Sequence, residues 1–174
     1  MSAGTLLAIP NVSEGRDVGV IEALCRAFDG RLLDVHSDPD HNRSVFTLAG
    51  APGELAPLVL AGARAALDRI DIRRQTGAHP RVGAIDVAPI VYLDGDDRGS
   101  ACAEALVLAD LLADELETPV FLYGELAGGR PRAELRRGGA PGLARRIADG
   151  ELRPDFGPAA LHPTAGAALV LPTA

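Results

Sequence analysis

The residues best suited to chemistry lie in the stretch 73–87, where one histidine is close in sequence to three arginines. His79 precedes Pro80, which favours an extended backbone at the histidine and fixes its own φ angle. An imidazole gives or takes a proton near neutral pH, and nearby arginine charge favours its neutral form. The stretch therefore indicates an acid–base histidine on a stiff loop, with Asp86 as a candidate to orient the ring. The alternative is an ordinary histidine on a surface loop.

A second polar group is His36-Ser37-Asp38-Pro39-Asp40-His41. It is one residue away from the His-x-His-x-Asp-His pattern of binuclear metallohydrolases, with Asp38 in place of the second histidine. Such ligands could bind zinc or manganese. Asp also hydrogen-bonds the local backbone in tight turns, and the remaining histidines, His79 and His162, are isolated in the sequence. We expect a turn and no metal.

Two further segments have the composition of loops with a defined conformation. Residues 11–16 follow the first predicted strand, where an anion could lie against a helix N-terminus and Arg16; a plain capped turn is the alternative. Residues 157–166 contain two glycines and two prolines, which is typical of a low-entropy loop, or else of a linker. The sequence has no Gly-x-Ser-x-Gly, Cys-x-x-Cys or Gly-x-Gly-x-x-Gly motif, so serine-hydrolase, redox and NAD functions lack support.

Composition limits the remaining possibilities. The 174 residues are 47% apolar, which suits one domain with a full core. A net charge of −7 argues against nucleic-acid or acidic-membrane partners. All 17 basic residues are arginines, which excludes a lysine Schiff base and a P-loop lysine. Apolar stretches are interrupted by charges and no basic leader opens the chain, so we expect a cytoplasmic protein.

Strand and helix patterns alternate along the chain, which predicts an α/β or α+β fold with helices stacked on one sheet. The predicted strands cover 5–9, 31–36, 43–49, 84–93, 120–123 and 165–171. The predicted helices begin at the Asp17 cap, at about Glu54 and at the Ser100 cap, followed by short ones at 132–137 and 141–149. Pro89 within the fourth strand suggests a sheet edge or a bulge.

The same motifs resemble the N-terminal subdomain of the formiminotransferase domain. The matching blocks come in the family's order and cover nearly the whole chain: 10–16 (Pro-Asn-Val-Ser-Glu-Gly-Arg), 33–35 (Leu-Asp-Val), 42–47 (Asn-Arg-Ser-Val-Phe-Thr), 73–87, 119–125 (Pro-Val-Phe-Leu-Tyr-Gly-Glu) and 154–158 (Pro-Asp-Phe-Gly-Pro). The resemblance implies a mixed β-sheet of about six strands with helices mainly on one face. It also implies a single domain, 1–174, without the family's C-terminal subdomain.

The resemblance further implies transfer of a formimino group from N-formimino-L-glutamate to tetrahydrofolate, a step of histidine degradation. His79 falls on the family's catalytic histidine, and no metal is required. The residues that the family would use for substrate are Asn11, Ser13, Glu14, Arg16, Asp40, His41, Asn42, Arg43, Arg81 and Asp86. Those for tetrahydrofolate, the co-substrate, are Gly157, Pro158, Ala159, Ala160, Leu161, His162, Pro163, Thr164, Ala165 and Gly166.

Three functions stay open at this level. We favour the transferase. A non-catalytic or partner-dependent folate-binding half-protein is the second, because one wall of the family's cleft would be missing. An enzyme acting on 5-formyl-tetrahydrofolate is the third. The expected partners are small molecules, with a homodimer or a separate C-terminal subdomain completing the cleft.

Overall fold

The computed structural model describes residues 4–28 and 30–174. The strands are β1 Leu6–Ala8, β2 Asn11–Val12, β3 Leu32–Asp38, β4 Arg43–Gly50, β5 Ile85–Tyr92, β6 Val120–Leu122 and β7 Ala168–Thr173. The α-helices are α1 Val18–Ala27, α2 Leu55–Leu67, α3 Arg98–Leu116, α4 Arg132–Arg136 and α5 Gly139–Ala148. Single 3-10 turns form at Gly95–Asp97 and Glu125–Ala127. No helix in this part of the chain is both long and apolar enough to cross a lipid bilayer.

The strands form one mixed sheet. β4 pairs with β3 on one side and with the successive segments β1 and β2 on the other, all antiparallel. β1 and β2 pair in turn with β5, which is followed by β7 and then β6 in parallel. The mixed α/β architecture is confirmed, with seven strands in the sheet. The additional strand is β2, which the sequence suggested to be part of a loop.

Both faces of the sheet carry a core, but the two cores differ in size. α1, α2 and α3 cover one face and bury the larger cluster, which includes Leu6, Phe28, Phe46, Val59, Ile90 and Leu108. α4 and α5 cover only part of the opposite face, over β5, β6 and β7, where Val87, Phe121, Leu135, Leu143 and Leu169 are buried. The expectation of helices mainly on one face therefore holds for the three long helices.

Pro89 does not lie at an edge, because β5 pairs on both sides. Its carbonyl accepts a hydrogen bond from Ile9 N at 2.9 Å, and Ile9 belongs to the gap between β1 and β2. A proline, which has no N–H to donate, is tolerated inside the sheet because the acceptor opposite it, Ile9 O, is bound by the Asn11 side-chain amide at 2.9 Å. The edge prediction was wrong for this reason.

The bulge lies three residues earlier, at Asp86. Asn11 is opposite Val87, but Val12 is opposite Ile85, so Asp86 is an extra residue in β5. Such a bulge reverses the normal alternation of side chains. Ile85 and Ala88 accordingly join the larger core, whereas Val87 joins the core under α4 and α5.

Helix starts and the last strand show smaller differences. Asp17 caps α1 as predicted, accepting from Val20 N at 3.1 Å. Ser100 does not cap α3, which already begins at Arg98. Residues 165–167 pair with 82–84 instead of β6, since Ala84 N donates to Ala165 O and Ala167 N to Val82 O, both at 2.9 Å. β7 therefore starts at Ala168, and the segment before it supports the loop that carries His79.

Candidate functional site

The loop that carries His79 is fastened to the turn between β3 and β4. Arg81 donates from its guanidinium to the carbonyl oxygens of His41 and Asn42, at 2.9 Å and 3.1 Å. Ala78 N donates to Asp40 O at 3.2 Å. These bonds bring His79 and His41 together, with ring centroids 6.1 Å apart and the rings tilted by 61°.

Asn42 connects this turn to two other segments. It is almost fully buried and has a φ of 51°, a left-handed conformation that asparagine tolerates better than most residues. Its side chain accepts from Gly15 N at 2.9 Å and donates to Gln75 Oε1 and Thr76 O at 2.6 Å and 2.9 Å. One buried amide therefore holds residues 11–16, 38–43 and 75–76 in fixed relation.

Ser13 and Glu14 are buried and already hydrogen-bonded. Ser13 Oγ donates to Gly83 O at 2.7 Å. Glu14 accepts from the N–H groups of Arg16 and Asp17 at 2.7 Å and 3.0 Å, and from the Gln75 amide at 3.0 Å. Burial alone raises the pKa of this carboxyl, but the donors outweigh it and hold the pKa below its ordinary value. Both side chains support the loops from within.

Arg16, Asn11 and Asp40 lie at the margin of this arrangement. Arg16 donates to Pro39 O at 2.7 Å and to Thr76 Oγ1 at 3.3 Å, so its guanidinium bridges two loops at the surface. The Asn11 amide donates to Ile9 O at 2.9 Å, within its own strand segment. Asp40 is exposed and contributes its carbonyl to the contact with Ala78.

His79 has one ring nitrogen committed and one available. Nδ1 lies 2.7 Å from Pro80 O, and because a carbonyl only accepts, Nδ1 carries the proton. Nε2 of the neutral ring is then the free base. Burial is the largest influence on the pKa of His79 and lowers it. The hydrogen bond to the Pro80 carbonyl opposes burial, the charges of Arg136 and Arg43 lower the pKa further, and Asp86 has the smallest effect, so the pKa lies below its ordinary value. The imidazole is thus set to accept a proton at neutral pH.

His79 and Pro80 open onto a cleft of about 810 Å³. Its other wall is α4 and the start of α5, with Arg132, Ala133, Arg136, Arg137, Gly138 and Gly139. Arg132 and Arg137 are exposed, whereas Arg136 is buried and forms an ion pair with Asp86. Sequence reasoning missed these three arginines. Their only signal is a basic run far from His79 in the chain, which the fold of the sheet brings across from it.

A much narrower cavity, of only about 10 Å³, also borders His79. Its lining consists of Ser13, His41, Asn42, Arg43, His79, Arg81 and Asp86. Six of the residues that the family resemblance assigned to substrate therefore surround the proposed catalytic histidine. The arrangement places two imidazoles and two guanidiniums around one small space.

Only the second half of the His36–His41 segment forms the predicted turn, because β3 continues through Asp38 and the turn covers residues 39–42. Asp38 Oδ1 accepts from the N–H groups of Asp40 and His41, both at 2.9 Å, and Oδ2 lies 2.6 Å from His41 Nδ1. His36 is on β3, exposed and apart from this pair. Within residues 4–28 and 30–174, no three His, Cys, Asp or Glu side chains converge as metal ligands would.

The 157–166 segment and His79 do not line a common cavity. Leu161, His162, Pro163 and Gly166 border a cleft of about 460 Å³ whose other wall includes Ile72 and Ala140. Pro158, Ala160, Leu161, His162 and Pro163 border another, of about 570 Å³, against the end of α3. The first of these adjoins the cleft of His79 at the start of α5, where Gly139 lines one and Ala140 the other.

Comparison with known proteins identifies the family of the chain. Residues 5–171 match the model of the formiminotransferase domain, N-terminal subdomain. The chain is 42% identical over 168 residues to the formimidoyltransferase-cyclodeaminase of Sus scrofa, covering 91% of this chain and 31% of that protein. It is 36% identical over 170 residues to the glutamate formimidoyltransferase of Streptococcus pyogenes serotype M1, covering 93% and 56%.

A third relative is the glutamate formimidoyltransferase of Thermoplasma acidophilum, 34% identical over 171 residues, with 93% of this chain and 56% of that protein covered. The chain thus spans between 31% and 56% of the length of these relatives. Because the family model matches nearly every residue, the chain belongs to the formiminotransferase domain family and corresponds to its N-terminal subdomain.

Proposed function

We propose that this chain supplies the acid–base group and one wall of a site that transfers a formimino group from N-formimino-L-glutamate to tetrahydrofolate in the cytoplasm. The observation that carries the proposal is His79, with Nδ1 tied to Pro80 O and Nε2 free beside an arginine-lined cleft. The names of the relatives, formimidoyltransferases from an animal, a bacterium and an archaeon, support the same reaction class.

The chemistry requires one proton to leave and one to arrive. N5 of tetrahydrofolate attacks the formimidoyl carbon, and the C=N electron pair moves to the nitrogen to give a tetrahedral intermediate. The N5 proton then has to be removed, and the glutamate nitrogen needs a proton before its bond to carbon breaks. A histidine that is neutral at working pH performs such transfers efficiently. His79 has the lowered pKa that this role calls for.

Carboxylates of the two substrates need cationic partners. Arg81 is largely committed to the His41 and Asn42 carbonyls, which favours a supporting role for it. Arg132 and Arg137 are exposed in the cleft beside His79 and are better placed to meet an anion. Arg43 lies beside His79 in the narrow cavity. Guanidinium groups bind carboxylates in two-point fashion, so this cleft suits the glutamate part of the donor.

The pterin end of the folate is assigned to the 157–166 segment. Its cleft adjoins that of His79 at Gly139 and Ala140, so an elongated ligand can extend from one into the other. Gly166 packs closely enough against Val82 to leave no room for a side chain, which keeps this segment against the His79 loop.

A second half completes the site in this proposal, either further along the polypeptide or on another chain, including a second copy. Two observations support it. The relatives are longer, and the sheet face away from α1–α3 is left partly uncovered over β1, β4 and β5. Half-exposed apolar side chains on this face include Leu7, Val45, Ala49 and Val91. Folate binding without turnover is accordingly the second candidate function.

A paired substitution at His79 tests the proposal in a coupled folate assay on the full polypeptide. His79→Asn keeps a side-chain N–H donor for Pro80 O but removes Nε2, so we expect the transfer rate to fall at least about a hundredfold. Arg98→Gln, which breaks only an exposed pair with Glu125, serves as control and keeps its rate. Full activity of His79→Asn overturns the assignment. Calorimetric binding of folinate by a protein that transfers neither formimino nor formyl groups supports the second candidate instead.

A further inference from the structure

The Asp38–His41 pair at the β3–β4 turn has the form of an oriented catalytic histidine. Asp38 Oδ2 is 2.6 Å from His41 Nδ1, and Asp38 Oδ1 accepts two backbone N–H groups at 2.9 Å. The backbone and side chain of His41 lower the pKa of Asp38, so the carboxyl is ionised at neutral pH. An ionised carboxylate only accepts, so Nδ1 of His41 carries a proton and Nε2 is the free position.

His41 and His79 share the same hydrogen-bonding arrangement at Nδ1. Each has Nδ1 bound to a fixed acceptor, Asp38 in one case and the Pro80 carbonyl in the other. Both rings line the same narrow cavity, with centroids 6.1 Å apart. The two loops are also joined through the Arg81 guanidinium and the Ala78 amide. Two acid–base groups are therefore held at a constant spacing.

We propose that His41 is a second catalytic residue, which protonates the departing glutamate nitrogen while His79 removes the proton from N5, and that Asp38 is its positioning residue. This inference rests on the function proposed above. In the first step the N5 lone pair bonds to the formimidoyl carbon, the C=N pair moves to nitrogen, and the N5 proton passes to His79 Nε2. In the second, His41 gives its Nε2 proton to the glutamate nitrogen, the C–N bond breaks, and C=N re-forms.

After each turnover His79 carries one additional proton and His41 has lost one. The proton returns from the first ring to the second through water once the products leave, so no other reactant is consumed. A hydrogen bond spans roughly 3 Å, so rings 6.1 Å apart can each reach a different nitrogen on one tetrahedral carbon. A single imidazole would have to serve both nitrogens in turn.

The two rings have different charged neighbours. Burial and the charges of Arg136 and Arg43 lower the pKa of His79, whereas His41 Nδ1 lies 2.6 Å from the Asp38 carboxylate. Such different settings support a division of the base and acid roles between the two rings. The other charged groups on the surrounding elements are Asp40 and Arg43 on the turn, Arg81 and Asp86 on the His79 side, Arg136 on α4, and Glu14 and Arg16 on the 11–16 segment.

Three variants of the full polypeptide test the proposal, with formimino transfer followed between pH 5 and pH 10, a window chosen to span the ordinary imidazole value. For His41→Gln we expect kcat to fall about a hundredfold while the dissociation constant of folinate changes less than about twofold. For Asp38→Asn we expect the alkaline limb of the kcat profile to move, because the group hydrogen-bonded to His41 Nδ1 loses its charge. Added imidazole should partly restore kcat to His41→Ala.

The outcomes separate this inference from the proposed function. If His79→Asn is inactive but His41→Gln keeps wild-type kcat, or if the alkaline limb of Asp38→Asn does not move, His41 is not the acid and only the present inference fails. If His79→Asn is fully active, or the wild-type polypeptide transfers nothing, the proposed function fails and His41 loses its role with it. Circular dichroism of each variant, matched to wild type, shows that the variant is still folded.

Discussion

Arg136 on α4 and Asp86 at the β5 bulge form a buried ion pair behind His79. Both side chains are more than nine-tenths buried. Asp86 Oδ1 also accepts from Val82 N at 2.7 Å, whereas Arg136 Nε has no hydrogen-bond partner in the described part of the chain. The ion pair joins α4, which forms one wall of the cleft, to the start of β5, which follows the loop that carries His79.

Removing only one partner of this ion pair should lower the stability of the protein. Arg136→Met leaves the Asp86 carboxylate buried without its cation, and we expect the free energy of unfolding in urea to fall by about 3–5 kcal/mol. Asp86→Asn combined with Arg136→Met removes both charges but keeps the acceptor for Val82 N, and should recover much of the loss. The exposed pair of Arg98 and Glu125 is the control, since Arg98→Met should cost no more than about 1 kcal/mol. Equal losses of unfolding free energy in Arg136→Met and Arg98→Met would contradict a contribution from the buried pair.

The basicity of His79 should respond to a neighbouring charge. The pKa of His79 lies below the ordinary imidazole value because of burial and the charges of Arg136 and Arg43. Arg43→Gln removes one of these charges, so we expect the pKa of His79 to rise, as read by NMR titration of the ring. The acidic limb of kcat/KM should then move to higher pH in the same direction. Arg31→Gln, which breaks an exposed pair with Glu54, should leave both unchanged.

Glu14 should make the stability of the loops depend on pH. Its pKa is lowered on folding, so the carboxylate contributes stability that is present above the unfolded value and is lost as pH falls through the folded value. Glu14→Gln at neutral pH should therefore cost about 1–3 kcal/mol, because hydrogen bonds to a buried anion are weakened. Urea unfolding at pH 7 and at pH 3 should show the difference between variant and wild type shrinking in acid. A constant difference would rule out the charge as its source.

Gly15 should not tolerate a side chain. A Cβ there would meet the carbonyl of Asp38 and lie 2.6 Å from Arg43 N, both rigid backbone atoms. We expect Gly15→Ala to destabilise the protein by about 1–3 kcal/mol and to reduce turnover, because the Asp38–Arg43 turn has to move. Gly99→Ala on α3 is the matched control, as its Cβ would meet nothing within 4 Å and alanine favours the helix. Equal melting temperatures for the two variants would contradict this packing.

Local signals in the sequence predicted local structure well. The Asp17 cap, the helical spacing of α1–α3 and the turn at Asp38 depend on contacts within a few residues, and the structure contains all three. The family resemblance assigned His79, His41, Asn42 and Arg43 to the site, and in the structure these four residues line one cavity, while their roles stay a prediction. In these cases the residues that decide the conformation are adjacent in the chain or belong to a recognisable motif.

Features that depend on sheet assembly were not predictable in the same way. Pro89 was assigned to an edge because nothing nearby in sequence shows that Ile9 and Pro10 interrupt the facing ladder. The arginines of α4 became visible as part of the cleft only once β5, β6 and β7 were in order. The assignment of the 157–166 segment to folate remains a prediction from the family resemblance.

The extra residue in β5 serves the side of the sheet that carries the imidazole. Because Asp86 is added to the regular alternation, Ile85 and Ala88 share a core although three positions separate them. Deleting Asp86 would restore regular alternation and leave Ile85, Ala88 and Ile90 facing the long helices, but Arg136 would lose its buried carboxylate. The interior beneath the long helices would thus tolerate the shorter strand, whereas the wall of the cleft would not.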